Sequence, residues 1–173
     1  AAIGGGVIGA GWVARLLENG VDVAVHDPAP GAEARLQAVL DNAERAYAKL
    51  TLAPRRRKGK LSFHPSIGEA VTGSDLIVES VPERLDIKRK VYAEVETAAT
   101  PTALIASSTS GILPSELQAE MMLPERLLVA HPFNPVYLLP LVELVGGEKT
   151  APQAIERAKK IYQGLGMHPL HIK

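Results

Sequence analysis

Hydrophobic residues along the chain follow two alternating spacings. Short apolar runs are typical of buried strands, and between them apolar residues return every three or four positions, as in amphipathic helices. The strand-like runs are residues 21–27, 61–63, 75–80, 103–106, 127–130, 141–145 and 167–172, and the helical stretches are 7–19, 32–49, 65–71, 84–97 and 151–164. This alternation predicts an α/β fold of the Rossmann type, a doubly wound and mostly parallel sheet with helices on both faces.

A glycine-rich turn follows the apolar residues at the start of the chain. Gly4, Gly6 and Gly9 have the G-x-G-x-x-G spacing, in which the first glycine permits a tight turn, the second lets the backbone approach a pyrophosphate and the third lets a helix pack on the strand. The N–H groups at the start of the next helix would face the phosphates. We therefore assign cofactor contacts to Gly4, Gly5, Gly6, Val7, Ile8 and Gly9.

An acidic residue closes the next strand-like run. Asp27 lies 18 residues beyond Gly9, close to the spacing of about 20 at which a carboxylate binds the ribose hydroxyls of a dinucleotide. A carboxylate there repels a 2′-phosphate, and the first arginine that follows is Arg35, so NAD is favoured over NADP. The alternative is that Asp27 only caps the following helix.

The composition bounds the class of protein. The length predicts one domain with a sizeable core, residues 1–173. Nineteen basic and nineteen acidic residues cancel, so we expect neither a nucleic acid nor a membrane as partner. The absence of cysteine excludes disulfides and cysteine chemistry. No apolar run is long enough for a membrane span and the histidines lack metal spacing, so we expect a cytoplasmic protein without a metal.

Polar stretches follow three of the predicted strands, at residues 79–83, 107–111 and 131–135. Because the carboxyl ends of parallel strands meet at one edge of a sheet, where ligands bind, these stretches are candidates for chemistry. The hydroxyls of Ser108 and Ser110 could bond ligand oxygens or the nicotinamide carboxamide. The alternative is that they cap the next helix.

One acid interrupts the last apolar strands. Glu143 is costly to bury unless it is paired, and we expect its partner to be His131, which Pro132 holds in an extended conformation. Such a pair makes a general base that could remove a hydroxyl proton. Ser110 and Asn134 would form hydrogen bonds to the oxygen as charge develops. The alternative is a structural histidine at a strand end.

These motifs together resemble the 3-hydroxyacyl-CoA dehydrogenase family, and within it the carnitine-oxidising branch. The likeness covers the whole chain and rests on Gly4-x-Gly6-x-x-Gly9, on Ser107-Ser108-Thr109-Ser110, and on His131-Pro132-Phe133-Asn134-Pro135 with Pro140-Leu141-Val142-Glu143. The resemblance implies that His131 is the catalytic base and Glu143 its partner. It further implies substrate-oxygen contacts from Ser110 and Asn134, and cofactor contacts from Glu83, Lys88 and Ser108.

Two departures from the family affect the expected substrate. The acyl-CoA enzymes usually carry asparagine in place of Ser108, and they have a longer helical arm than the stretch from Ala32 to Lys60 allows. We therefore expect a small free hydroxy acid. Against this, the basic run Arg55 to Lys58 could meet CoA phosphates, although a solvated linker is the commoner interpretation of such a run.

The resemblance implies NAD-dependent oxidation of a 3-hydroxyl group, with L-carnitine giving 3-dehydrocarnitine as the first candidate and a 3-hydroxyacyl-CoA of fatty-acid β-oxidation as the second. Two alternatives stay open: a dehydrogenase of the 3-hydroxyisobutyrate type, which uses a lysine, and a non-catalytic NAD-binding sensor. The family also implies a C-terminal helical domain, not contained in residues 1–173, that closes the substrate cleft and forms a homodimer.

Overall fold

The computed structural model describes residues 1–50 and 57–172, in which one sheet is covered by helices on both faces. The strands are β1 (Ala2–Ile3), β2 (Val23–His26), β3 (Leu61–Phe63), β4 (Leu76–Glu79), β5 (Leu104–Ser107), β6 (Leu127–Pro132), β7 (Leu141–Gly146) and β8 (His168–Ile172). The helices are α1 (Val7–Glu18), α2 (Ala32–Leu50), α3 (Ile67–Val71), α4 (Leu85–Ala98), α5 (Pro114–Gln118) and α6 (Pro152–Gly164), with a 3₁₀ turn at Pro124–Arg126. Arg55 and Arg56 of the basic run lie outside the described residues.

The strand order is β3-β2-β1-β4-β5-β6-β7-β8. Neighbouring strands are parallel except for β6 and β7, which are antiparallel, so β7 and β8 run opposite to the rest. The chain moves outward through β2 and β3, then crosses to β4 on the other side of β1. This confirms the doubly wound, mostly parallel Rossmann-type fold and places a crevice at the carboxyl ends of β1 and β4.

The strands divide the core into two apolar layers. In β6, Leu128 and Ala130 point into the layer that contains α1 and α6, whereas Leu127 and Val129 point into the layer that contains α3, α4 and α5. Alternate side chains of a strand face opposite sides, so a strand that is apolar throughout is buried on both. The continuous apolar runs in the sequence therefore correspond to central strands.

Helix α1 is enclosed more completely than its apolar spacing predicts. The expected sheet-facing residues are buried, and so is the rest of the helix from Gly9 to Leu17. Arg15 of this helix is enclosed as well, because its guanidinium donates to the carbonyl oxygens of Val136, Leu139 and Leu165. Packing that depends on residues so distant in sequence is not visible in a local pattern.

The side chain of Tyr162 in α6 is fully buried, and its ring centroid lies 5.3 Å from that of Trp12. Its hydroxyl has no hydrogen-bond partner in the described part of the chain, and burial raises the pKa of Tyr162 above its usual range. Because an unpaired buried hydroxyl is destabilising, we expect Tyr162→Phe to raise the free energy of unfolding by about 1 kcal/mol, measured by urea denaturation.

The contrasting variant is Tyr92→Phe, because the Tyr92 hydroxyl donates to Glu79 at 2.6 Å. That variant should lose about 1–2 kcal/mol. A loss of stability in Tyr162→Phe comparable to that in Tyr92→Phe would contradict the expectation.

In residues 1–50 and 57–172, no helix has both the length and the apolar character needed to cross a bilayer.

Candidate active site

The three glycines of the G-x-G-x-x-G pattern, two in the turn between β1 and α1 and one in α1, have different surroundings. A Cβ atom on Gly4, whose φ is +91°, would lie 2.6 Å from the Ser80 carbonyl oxygen, and one on Gly9 would lie 1.9 Å from the Gly4 carbonyl oxygen. A Cβ atom on Gly6, the N-cap of α1, would meet nothing within 4 Å. The first and third glycines therefore permit the local fold, and the second leaves the helix N-terminus open to a phosphate group.

Asp27 is tied to the same turn. One carboxylate oxygen accepts the Gly5 N–H at 2.7 Å, and the other accepts the Ala29 N–H at 2.9 Å. Both bonds lie outside α2, which begins at Ala32. Asp27 therefore braces the turn and the loop that follows β2, and it does not act as a cap of that helix.

A cleft of about 630 Å³ opens beside Asp27 at the switch point of the sheet. Its lining includes Gly4, Gly6 and Asp27, together with the apolar side chains of Ile3, Ile67, Val81, Ile87 and Val91. Apolar walls suit an adenine ring, and a carboxylate in the lining suits ribose hydroxyls. Val7 and Ile8, also predicted to contact the cofactor, lie in the first turn of α1 and are not in the lining of this cleft: Val7 is 65% exposed, and Ile8 packs against the core.

Glu83 joins the β4–α4 connection to the loop after β5. Its Oε1 atom accepts the N–H groups of Ser110 and Gly111 at 3.0 and 3.1 Å, and also the Thr109 hydroxyl. Lys88 lies beneath it, 1% exposed, with Nζ 3.3 Å from Glu83 and 2.7 Å from Glu79. The structure thus brings Glu83 to the strand-end edge but encloses Lys88, which the resemblance placed in direct contact with the cofactor.

Partial burial acts to raise the pKa of Glu83, but the hydrogen bonds from Thr109, Gly111 and Ser110, together with Lys88, outweigh it and hold the pKa below its ordinary value of 4.5. A lowered pKa stabilises the fold above the ordinary value, and this stabilisation is lost as the pH falls through the folded-state pKa. Glu83→Gln should therefore be less stable than wild type at pH 7, by less than about 1 kcal/mol because 44% of the side chain is exposed.

The difference should shrink once the pH falls below 4.5. Urea denaturation at several pH values measures it, with the exposed Glu94→Gln on α4 as the matched control. A Glu83→Gln deficit that is unchanged in acid would contradict this assignment.

The loop after β5 holds both predicted serines. The Ser108 hydroxyl accepts a hydrogen bond from Trp12 Nε1–H at 3.1 Å and lies 2.9 Å from the Ser80 hydroxyl. Ser110 is exposed and lines a smaller cleft of about 250 Å³, which His131 and Glu143 also line. Ser108 thus lies between the glycine-turn helix and this smaller cleft.

His131 and Glu143 are directly opposite each other on the antiparallel pair β6 and β7. The Nδ1 atom of His131 lies 2.9 Å from a Glu143 carboxylate oxygen, and the side chains are 31% and 33% exposed. The predicted contact between the two side chains is confirmed. Since a carboxylate can only accept, Nδ1 carries the proton in the neutral ring and Nε2 keeps a lone pair.

Asn134 is the one predicted catalytic residue that the structure does not bring into this group. It is exposed in the loop after β6 and does not line the cleft formed by Ser110, His131 and Glu143. Its contact with a substrate oxygen therefore stays a prediction.

Two residues at the site make contacts that the sequence does not predict. Trp12 binds Ser108 across 96 positions, a contact that depends on the tertiary fold. Glu79 is fully buried at the end of β4, and it carries the signal that identified Glu143, a lone acid in an apolar strand. In residues 1–50 and 57–172, no group of three His, Cys, Asp or Glu side chains could hold a metal ion.

A glycine turn, a carboxylate bonded to that turn and a histidine–carboxylate pair at one sheet edge are typical of a dinucleotide-binding domain of the dehydrogenase class. The chain belongs to the 3-hydroxyacyl-CoA dehydrogenase family, and residues 1–173 match its NAD-binding domain. The cofactor is accordingly NAD, and the glycine turn, the apolar cleft and Asp27 fit it.

More than half of the aligned residues are identical between the chain and two curated relatives. It is 60% identical over 167 residues to an L-carnitine dehydrogenase/betainyl-CoA thioesterase of Rhizobium sp, covering 96% of this chain and 34% of that protein. It is 57% identical over 173 residues to an L-carnitine dehydrogenase of Pseudomonas aeruginosa, covering 100% of this chain and 54% of that protein. The chain thus spans between a third and about half of the length of these relatives.

Solved structures share the fold. A 5-formyl-3-hydroxy-2-methylpyridine 4-carboxylic acid 5-dehydrogenase, an NAD⁺-dependent dismutase, superposes with a TM-score of 0.93 at 38% identity, over 99% of this chain and 56% of that one. The 3-hydroxybutyryl-CoA dehydrogenase of Escherichia coli superposes with a TM-score of 0.88 at 27% identity, over 98% of this chain and 37% of that one.

Proposed function

We propose that this protein oxidises the 3-hydroxyl group of a small 3-hydroxy acid with NAD, and that L-carnitine, giving 3-dehydrocarnitine, is the first candidate. The observation that carries the proposal is the 2.9 Å contact between His131 and Glu143, in a cleft that also contains Ser110. The names of the relatives in Rhizobium sp and Pseudomonas aeruginosa support the choice of carnitine.

His131 is the proposed general base. Glu143 holds the Nδ1–H of the ring, so Nε2 accepts the proton of the substrate hydroxyl as the carbonyl forms. The imidazolium produced is stabilised by the Glu143 carboxylate at 2.9 Å. Glu143 also fixes the direction of the ring, because the contact joins side chains on two paired strands.

The remaining site residues would bind the cofactor and orient the substrate. The Gly4–Gly9 turn would hold the pyrophosphate and Asp27 the adenosine ribose, with Glu83 and Ser108 towards the nicotinamide half. When bound, NAD supplies the acceptor for the hydride that leaves the hydroxyl-bearing carbon. Ser110 and Asn134 would donate hydrogen bonds to the substrate oxygen.

The small cleft favours a compact substrate. Its volume is about 250 Å³, and the exposed ring of Phe133, 5.7 Å from that of His131, gives an aromatic surface beside it. Trp12 is fully buried and offers no surface to a quaternary ammonium group. A lysine-dependent mechanism has less support, since Lys88 is enclosed against Glu79 and the lining of this cleft includes no lysine among the described residues.

A 3-hydroxyacyl-CoA is the second candidate, favoured by the family to which the chain belongs and by the likeness to the Escherichia coli enzyme. NADH formation by the full-length protein with L-carnitine, D-carnitine or 3-hydroxybutyryl-CoA separates the two. We expect turnover with L-carnitine. Turnover with the CoA ester alone would overturn the substrate assignment, and NAD binding without turnover of any donor would favour a sensor.

The proposal extends to assembly and location. We infer that the protein works as a cytoplasmic homodimer, with a C-terminal helical domain that closes the substrate cleft. Support comes from the family resemblance and from the greater length of the relatives. Light scattering of the full-length protein measures the mass, and a monomer that turns over substrate at full rate would reject the dimer as a requirement.

A further inference from the structure

The carboxylate of Glu79 lies in the interior at the end of β4 and is surrounded by donors. One oxygen accepts the Val81 N–H at 2.8 Å and the Lys88 ammonium at 2.7 Å. The other accepts the hydroxyls of Tyr92 and Ser107 at 2.6 and 2.7 Å. Since Glu79 is 1% exposed, these bonds replace its hydration, and an amide in its place would direct N–H groups at other donors.

Two routes connect this carboxylate to the loop after β5. The direct route passes through Ser107, whose hydroxyl donates to Glu79 and accepts the Thr109 N–H at 3.4 Å. The other route passes through Lys88, shared between Glu79 at 2.7 Å and Glu83 at 3.3 Å. Glu83 then accepts the backbone N–H groups of the same loop, so the loop is held at both of its sides.

We propose that Glu79 is a positioning residue for the loop 108–111: by holding Ser107 directly and Lys88 against Glu83, it sets the place of the two serines that face cofactor and substrate. The inference rests on the proposed function for its kinetic consequence. Its structural part, the position of the loop, is independent of the substrate.

Replacement of Glu79 should affect kcat more than NAD binding. The glycine turn and Asp27, which would hold the pyrophosphate and the adenosine ribose, bond to each other, and the Glu79 carboxylate meets the lining of that cleft only at the Val81 N–H among the described residues. Most of the NAD affinity should therefore survive replacement of Glu79. The loop contributes to the reacting geometry, where a displacement of about 1 Å can cost up to about a hundredfold in rate. A Glu79 variant should therefore lose kcat far more than it loses NAD affinity.

Trp12 reports on the loop. It is the single tryptophan of the 173-residue chain, it is fully buried, and its ring N–H donates to Ser108. Loosening the loop would open this N–H to water and shift the emission of Trp12 to longer wavelength. This readout would not move if Glu79 only contributed to overall stability.

The test compares three variants. Glu79→Gln keeps the shape and removes the charge. Glu79→Gln/Lys88→Met removes both members of the buried pair, so that no unpaired charge prevents folding. Tyr92→Phe is the matched control, because it removes one donor from the same carboxylate and leaves the routes through Ser107 and Lys88 intact.

In both Glu79 variants we expect the shifted Trp12 emission, a loss of kcat of about tenfold to a hundredfold, and an NAD Kd within about threefold of wild type. Tyr92→Phe should match wild type in emission and kcat although it is less stable. Unchanged emission in folded Glu79 variants, the same shift in Tyr92→Phe, or failure of both Glu79 variants to fold would overturn the proposal. Absence of wild-type turnover would reject the proposed function, and the Trp12 emission would still test Glu79.

Discussion

Replacement of His131 by asparagine is expected to lower kcat by about a thousandfold, because the substrate hydroxyl then has no side chain of suitable basicity to take its proton. The NAD Kd should stay close to the wild-type value, since His131 lies in the smaller cleft and the adenosine cleft has a separate lining. Steady-state kinetics with L-carnitine measure the first quantity, and titration of the free protein with NADH measures the second.

Two further variants separate a catalytic role from a structural one. Glu143→Gln keeps the hydrogen-bonding shape but removes the charge that stabilises the imidazolium, so its loss should be about a hundredfold or more. His168→Asn, on the exposed edge strand β8, is the matched control and should keep wild-type kcat. Turnover by His131→Asn at the wild-type rate would reject the proposed base.

Gly6→Val is expected to abolish measurable NAD binding, a loss of at least about a hundredfold, while leaving the fold intact. A Cβ atom at Gly6 meets nothing within 4 Å in the protein, so the added side chain occupies the space through which a pyrophosphate approaches the backbone. The backbone of Gly6 is extended, with φ at −65°, and accepts a side chain without strain.

Gly9→Ala, in contrast to Gly6→Val, is expected to destabilise the fold itself. Its Cβ atom would lie 1.9 Å from the Gly4 carbonyl oxygen, so the turn and α1 must separate and the protein should unfold at lower temperature. Thermal unfolding and NADH titration of both variants measure the contrast. Normal NADH affinity in a folded Gly6→Val would exclude this turn as the pyrophosphate site.

The sequence predicts the strand and helix order closely because the local patterns are strong. Glu143 shows how far such a prediction extends to the site: a lone carboxylate in an apolar strand requires a partner, and the nearest polar strand residue in the chain is His131. The structure places the two directly opposite each other. Ser110 could be placed at the same edge because β5 and β6 are parallel neighbours.

Local sequence patterns do not predict contacts between residues that are distant in the chain. Arg15 donates to Val136 across 121 positions, and nothing near Arg15 in the sequence indicates that it is enclosed. Lys88 has the helical spacing of the buried residues Val91, Tyr92 and Val95, but the sequence does not identify the partner that its ammonium group needs there. That partner is Glu79 of the neighbouring strand. The resemblance could transfer a role to Lys88 but could not show that another side chain would cover it.

The reversal of β7 makes the histidine–carboxylate pair sensitive to the length of the connection between residues 132 and 141. His131 and Glu143 meet because the ladder of β6 and β7 sets them opposite each other, and successive side chains of a strand point to opposite sides. If one residue were deleted from or inserted into that connection and the pairing of β6 with β7 shifted by one position, the Glu143 carboxylate would face the opposite side of the sheet from His131. The separation of His131 and Glu143 by 12 positions along the chain is therefore a requirement of the strand pairing, in addition to the chemical requirement for these two residue types.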